Sequence, residues 1–89
     1  MKFIYTKTFQ KELLKFVSNK PNLNEKVQDV LEDFQEYLFE SRYYRKKLVG
    51  FEEDIHELQV GWDNRIIVQF IIKNDECYYL NFWSHSSLE

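Results

Sequence analysis

The hydrophobic period of this chain changes once, near Tyr43, from the three-to-four spacing of a buried helical face to the alternation of a sheet. That switch splits 89 residues into a helical half and a strand half, as an α+β domain requires. Ahead of it, "KFIY" reads as a short opening strand, and Thr8 is placed to cap a helix burying Phe9, Leu13, Phe16 and Val17. "NKPNLNEK" breaks that helix, and Asn22 with Glu25 has the spacing of a capping box for a second one. Val27, Val30, Leu31, Phe34 and Leu38 form its apolar stripe, with Lys26, Asp29, Glu32, Asp33 and Glu36 on the solvent side.

After the switch, strands are expected near 44–49, 55–60, 65–72 and 77–84, divided by the turn sequences "GFEED", "GWDN" and "KNDE". The order β-α-α-β-β-β-β with short late connections predicts a two-helix hairpin packed on one face of a twisted antiparallel β-sheet. Alternation puts Ile66, Val68, Phe70 and Ile72 against the helices, and in the last strand Tyr78, Leu80 and Phe82. Pairing Ile72 with Tyr78, Phe70 with Leu80 and Val68 with Phe82 would set Arg65 opposite His85, both on the outward face. A two-residue slip would bring Trp83 to Arg65 instead.

A chain this short buries one core, so residues 1–89 are read as a single domain. Leu88 and Glu89 resemble a cloning remnant and carry no weight. The aromatic share, 18%, means large rings supply much of that core. Cys77 is the only cysteine, which excludes an internal disulfide and reads as a small buried hydrophobe. His56 and His85, with no further close ligand, argue against a metal site. The N-terminus lacks the apolar run of a signal peptide or membrane span, so a cytoplasmic location is expected.

Net charge is −3, but residues 1–50 hold ten Lys/Arg against seven Asp/Glu, and residues 51–89 two against eight. "SRYYRKKL" gathers Arg42, Arg45, Lys46 and Lys47 beside Tyr43 and Tyr44. Such a run also serves as a charged edge strand that deters pairing with other chains. Together with Arg65 and a histidine at the end of the last strand, it suits cleavage of a phosphodiester. Histidine exchanges protons near neutrality, and arginine's fork matches two phosphate oxygens and stays charged. Lysines can neutralise phosphate, and exposed Tyr44 and Trp83 can stack on unpaired bases. Glu57 on the neighbouring strand is available to Arg65. His56 shares a parity with Leu58 and Val60 and belongs at the core margin.

The ordered set "KLVG", "HELQV", "RIIVQF" and the terminal "SHSSL" resembles the RelE/ParE superfamily of toxins from type II toxin–antitoxin pairs, on the RelE-like side. The resemblance spans nearly the whole chain. It implies two helices on an antiparallel sheet, and a ribosome-dependent, metal-independent mRNA endoribonuclease that inhibits translation, without cofactor, neutralised by a cognate antitoxin. Mapped by position, it implies that Arg65 contacts the reacting phosphate, His85 transfers protons, and Lys46 and Lys47 add basic groups before the "LVG" turn. Glu57 matches an acidic residue that is a general base in some members and orients the arginine in others. Arg42, Arg45, Tyr44 and Trp83 are then the candidate RNA contacts. Gln59 stands where many members have arginine, and Trp83 where some have glycine. A ParE-like inhibitor of gyrase and an antitoxin-binding module without catalysis are the alternative readings. Ribosome, mRNA and antitoxin are the expected partners, with no membrane.

Overall fold

The computed structural model describes residues 1–18 and 20–84. Strand β1 (Lys2–Tyr5) leads into helix α1 (Lys7–Val17) and helix α2 (Pro21–Tyr37). Strands β2 (Tyr44–Lys47), β3 (Asp54–Val60), β4 (Asn64–Ile71) and β5 (Glu76–Ser84) follow. The sheet order is β1-β5-β4-β3-β2. β2 to β5 are antiparallel neighbours, while β1 joins β5 in parallel, so the sheet is mixed at one edge. The two helices pack on one face, and the fold is α+β. No helix among the described residues is long and apolar enough to cross a membrane.

The helix starts differ from the expected caps. Thr6, not Thr8, caps α1: its Oγ1 accepts from the Phe9 N–H at 3.1 Å and donates to the Tyr79 carbonyl at 2.7 Å. One hydroxyl thus both starts the helix and ties it to β5. At α2 the expected Asn22–Glu25 box is absent, because the helix opens at Pro21, two residues earlier than that box requires. Proline's fixed φ and missing N–H suit that first position, and Lys20 before it makes no side-chain cap bond.

Val27, Val30, Leu31 and Phe34 of α2 are buried with Phe9 against Leu58, Ile66, Val68 and Phe70 of the sheet, as the stripe predicted. The register of β5 is where expectation fails. Near the β3–β4 turn Arg65 faces Trp83 and Ile66 faces Phe82, but farther along Val68 faces Tyr79 and Phe70 faces Cys77. Leu80 is the extra residue of a β-bulge. Bulges reverse the parity of everything beyond them. Tyr79 and Cys77, not Leu80 and Tyr78, therefore enter the core. Ile72 leaves the strand for a short 3₁₀ turn and is exposed.

The bulge has a packing reason. Tyr79 is fully buried, with ring centroids 4.8 Å from Tyr5 and 5.4 Å from Phe9, and its hydroxyl accepts from Gln35 Nε2 at 3.1 Å. The aromatic core needs that ring on the helix side.

Candidate functional site

A second bulge builds the site. Tyr44 pairs with Leu58 and Lys46 with Glu57, leaving Arg45 as the extra residue of β2. Tyr44 thereby turns toward the helix side, while Arg45 reaches over the outward face. Upstream, Ser41 Oγ donates to Asp33 Oδ2 at 2.7 Å and the Arg42 N–H to the same oxygen at 3.2 Å. Those bonds fix the entry of β2 relative to α2.

On the outward face Glu57 is the hub. Its Oε2 lies 3.4 Å from Arg45 Nε and 3.5 Å from Arg65 Nε. Arg45 Nη1 also donates to Gln59 Oε1 at 2.7 Å, and Arg65 Nη1 to the Asn64 carbonyl at 2.9 Å. Trp83, exposed, stands across the ladder from Arg65. The pairing is the slipped one, so Trp83 and not His85 is the register partner of Arg65. His85 itself lies outside the described residues. Lys46 is exposed at the register position opposite Glu57. Two guanidinium groups thus share one carboxylate oxygen on this face.

Other candidates are placed elsewhere. Lys47 pairs with His56 in register, and its Nζ lies 3.5 Å from Asp54 Oδ1, away from Arg65's face. Tyr44 is half-buried, its hydroxyl 2.8 Å from His56 Nδ1, so its ring is not a free stacking surface. Burial, and then the Asp54 charge, push the Tyr44 phenol above its ordinary pKa. Arg42 lies before β2, its guanidinium 5.1 Å from the Tyr43 ring centre.

His56 is buried, as its parity predicted, but it anchors a polar cluster that periodicity does not reveal. Its Nε2 lies 2.6 Å from Asp54 Oδ1 and its ring packs at 5.1 Å on both Phe39 and Phe70. Both ring nitrogens are engaged on the helix side of the sheet. Among the described residues no group of three His, Cys, Asp or Glu side chains could hold a metal ion. Sequence reasoning also missed Gln59 as a support for Arg45, although an amide can accept from arginine where a second arginine could not.

No protein-family model matches the chain, and no curated protein sequence matches it. Solved structures do match. A metal-bound toxin from Helicobacter pylori superposes with a TM-score of 0.79 at 21% identity, covering 100% of this chain and 99% of that one. The toxin–antitoxin complex RelB–RelE from Methanococcus jannaschii gives a TM-score of 0.71 at 20% identity, over 96% of this chain and 93% of that one. The solution structure of the conserved hypothetical protein HP0892 from Helicobacter pylori gives 0.66 at 24%, over 100% and 99%. The chain has the fold of these proteins, a RelE-like fold.

Proposed function

We propose that this chain is the toxin of a toxin–antitoxin pair and cleaves mRNA on the ribosome. The observation that carries the reading is the Arg45–Glu57–Arg65 bridge on the open face of the sheet, with Trp83 across from Arg65. In this reading the 2′-hydroxyl of a nucleotide attacks its own 3′-phosphate. Arg65 neutralises the charge that grows around the five-coordinate phosphorus as the P–O5′ bond breaks, the 2′-hydroxyl giving up one proton and the 5′-oxygen leaving with one. Glu57 is occupied by two arginines, which favours an orienting role over that of general base. Lys46 adds positive charge near the phosphate. Trp83 offers a ring to an unpaired base beside it.

The proton work falls to His85. His56 is the only other histidine, and it is buried with both nitrogens engaged. His85 follows directly on Ser84, which pairs with Asn64 next to Arg65. The similar fold of a toxin solved with its antitoxin supports an antitoxin partner. Exposed Leu14, Val49, Phe51 and Ile72 are surfaces such a partner would cover.

Expression of the chain alone is the test, with mRNA 5′ ends mapped during growth arrest. New ends within translated codons, lost in Arg65→Ala and His85→Ala, are expected. Arrest with intact mRNA and a DNA-damage response would replace this reading with gyrase inhibition, and no arrest at all would overturn it.

A further inference from the structure

Beside the arginine bridge lies an open cleft of about 560 Å³ between the start of β2, helix α2 and the β3–β4 turn. Lys26, Arg42 and Arg45 supply its charge, and Tyr43, Tyr44, Gln59 and Gly61 complete its wall. No acidic side chain lines it, in a chain whose net charge is −3. Lys26 and Arg42 form no ion pair among the described residues. Two unpaired cations facing one hollow repel each other and are stabilised by an anion between them. Arg45 belongs both to the cleft and, through Glu57, to the site of Arg65. The two anion sites are therefore contiguous.

Trp62 directly follows Gly61, a residue of the cleft wall. Gly61, at φ +64°, turns the chain tightly after β3, and the indole that follows is 87% exposed. Such exposure of a large ring costs hydration free energy with nothing gained in the isolated fold. A π face next to a cationic hollow is the arrangement that holds single-stranded nucleic acid, phosphates in the hollow and a base on the ring.

We infer that this cleft is a second subsite, which binds the single-stranded RNA flanking the scissile linkage through phosphates on Lys26 and Arg42 and a base stacked on Trp62. The inference rests on the RNA-handling reading above and adds to it which groups grip the substrate away from the reacting phosphate. An acidic segment of a protein partner is the competing occupant. RNA is favoured because the cleft runs into the Arg65 site and because the unpartnered ring offers stacking.

The experiment uses the full chain and a short, labelled 2′-O-methyl oligoribonucleotide, which has no 2′-hydroxyl to react, with binding followed by anisotropy over a salt series. Lys26→Ala with Arg42→Ala should weaken binding on the order of tenfold and flatten the log K against log salt slope by about 1.4, the amount for two phosphates on a single strand. Trp62→Ala should weaken it roughly tenfold with the slope unchanged, since stacking releases no counterions. Trp62→Phe should restore much of that loss. Circular dichroism and thermal unfolding should match the unsubstituted chain, because all three residues are exposed. Unaltered affinity and slope in the double variant would overturn the inference. So would equal competition by duplex RNA, or a loss confined to the affinity of an acidic protein partner. Failure of the nuclease reading registers separately, as an unsubstituted chain that binds the oligonucleotide through these residues yet leaves ribosome-bound mRNA uncut.

Discussion

Arg65 and Glu57 meet across β3 and β4 at 3.5 Å, and the same carboxylate oxygen holds Arg45 at 3.4 Å. If this face takes a phosphate, as proposed, a carboxylate beside it opposes the ligand's charge, so Glu57 there needs a positional reason. Under the proposed function, it fixes two flexible guanidinium groups before the phosphate arrives. Arg65→Ala should lower cleavage of ribosome-bound mRNA on the order of 10²–10³-fold, the usual loss when one charge-stabilising donor is removed. Arg65→Lys should recover little of it, because an ammonium cannot span two phosphate oxygens.

Glu57→Gln should separate binding from chemistry. Removing the negative charge strengthens RNA binding at low salt, while the loosened arginines cut more slowly. Measured together, the dissociation constant and the single-turnover cleavage rate should both fall. A rate that stays constant would show that Glu57 orients nothing.

His56 makes the opposite kind of prediction. It is 5% exposed and satisfies Tyr44 and Asp54 at once, so His56→Ala leaves a hydroxyl and a carboxylate short of a partner beside a cavity. A loss of about 2–4 kcal/mol is expected in urea unfolding. His56→Phe keeps the ring contacts with Phe39 and Phe70 and should cost less. Cleavage per folded molecule should be unchanged in both, which distinguishes a structural histidine from a proton carrier.

The helical stripes and the change of period were readable in the sequence because burial imposes them directly on residue type. Both bulges were not. A bulge at Leu80 or Arg45 is a choice between two alternations that local sequence supports equally well, and it is settled by distant rings. Tyr79 must meet Phe9, Tyr5 and Phe34, and those partners all come from the helical half of the chain or the strand before it. The same gap explains the site. Arg65 and Glu57 were placed on one face by parity alone, but the turn of Tyr44 toward His56 and the reach of Arg45 to Gln59 depend on the β2 bulge. Lys26 reads as one solvated charge among several on α2, and only the packing of α2 against the start of β2 brings it to Arg42.

Helix α1 is held to β5 by two polar side chains. Glu12 Oε1 accepts from Asn81 Nδ2 at 3.0 Å and from the Phe82 N–H at 3.2 Å, where β1 no longer covers that edge of β5. Thr6 does the same at the helix start. Glu12→Ala should cost about 1.5–3 kcal/mol, because a charged acceptor is lost and a backbone N–H is left open. Thr6→Val should cost about 1–2 kcal/mol through the lost cap. Hydrogen exchange should accelerate at the Phe82 amide in the first and at the Phe9 amide in the second.

Alkaline stability depends in part on the two acidic protons that the Leu80 bulge sends into the core. Burial raises the Cys77 thiol from an ordinary value of 9.0 to about 12, and burial likewise pushes the Tyr79 phenol up. Both groups are neutral when folded, so the folded chain keeps protons that the unfolded chain gives up at high pH. By linkage, stability from Cys77 is fully present below about pH 9 and drains away as pH rises toward about 12. The urea midpoint should therefore hold steady through neutrality and fall steadily above pH 9. Cys77→Val removes one of the two protons without leaving a polar group in the core, and should make that fall shallower without abolishing it, Tyr79 remaining. Thiol reagents should label Cys77 only at the rate at which the chain unfolds, since the thiolate they attack does not form in a closed core. Fast labelling at neutral pH in the folded state would mean that Cys77 lies outside the core, and with it that the bulge does not set the register of β5.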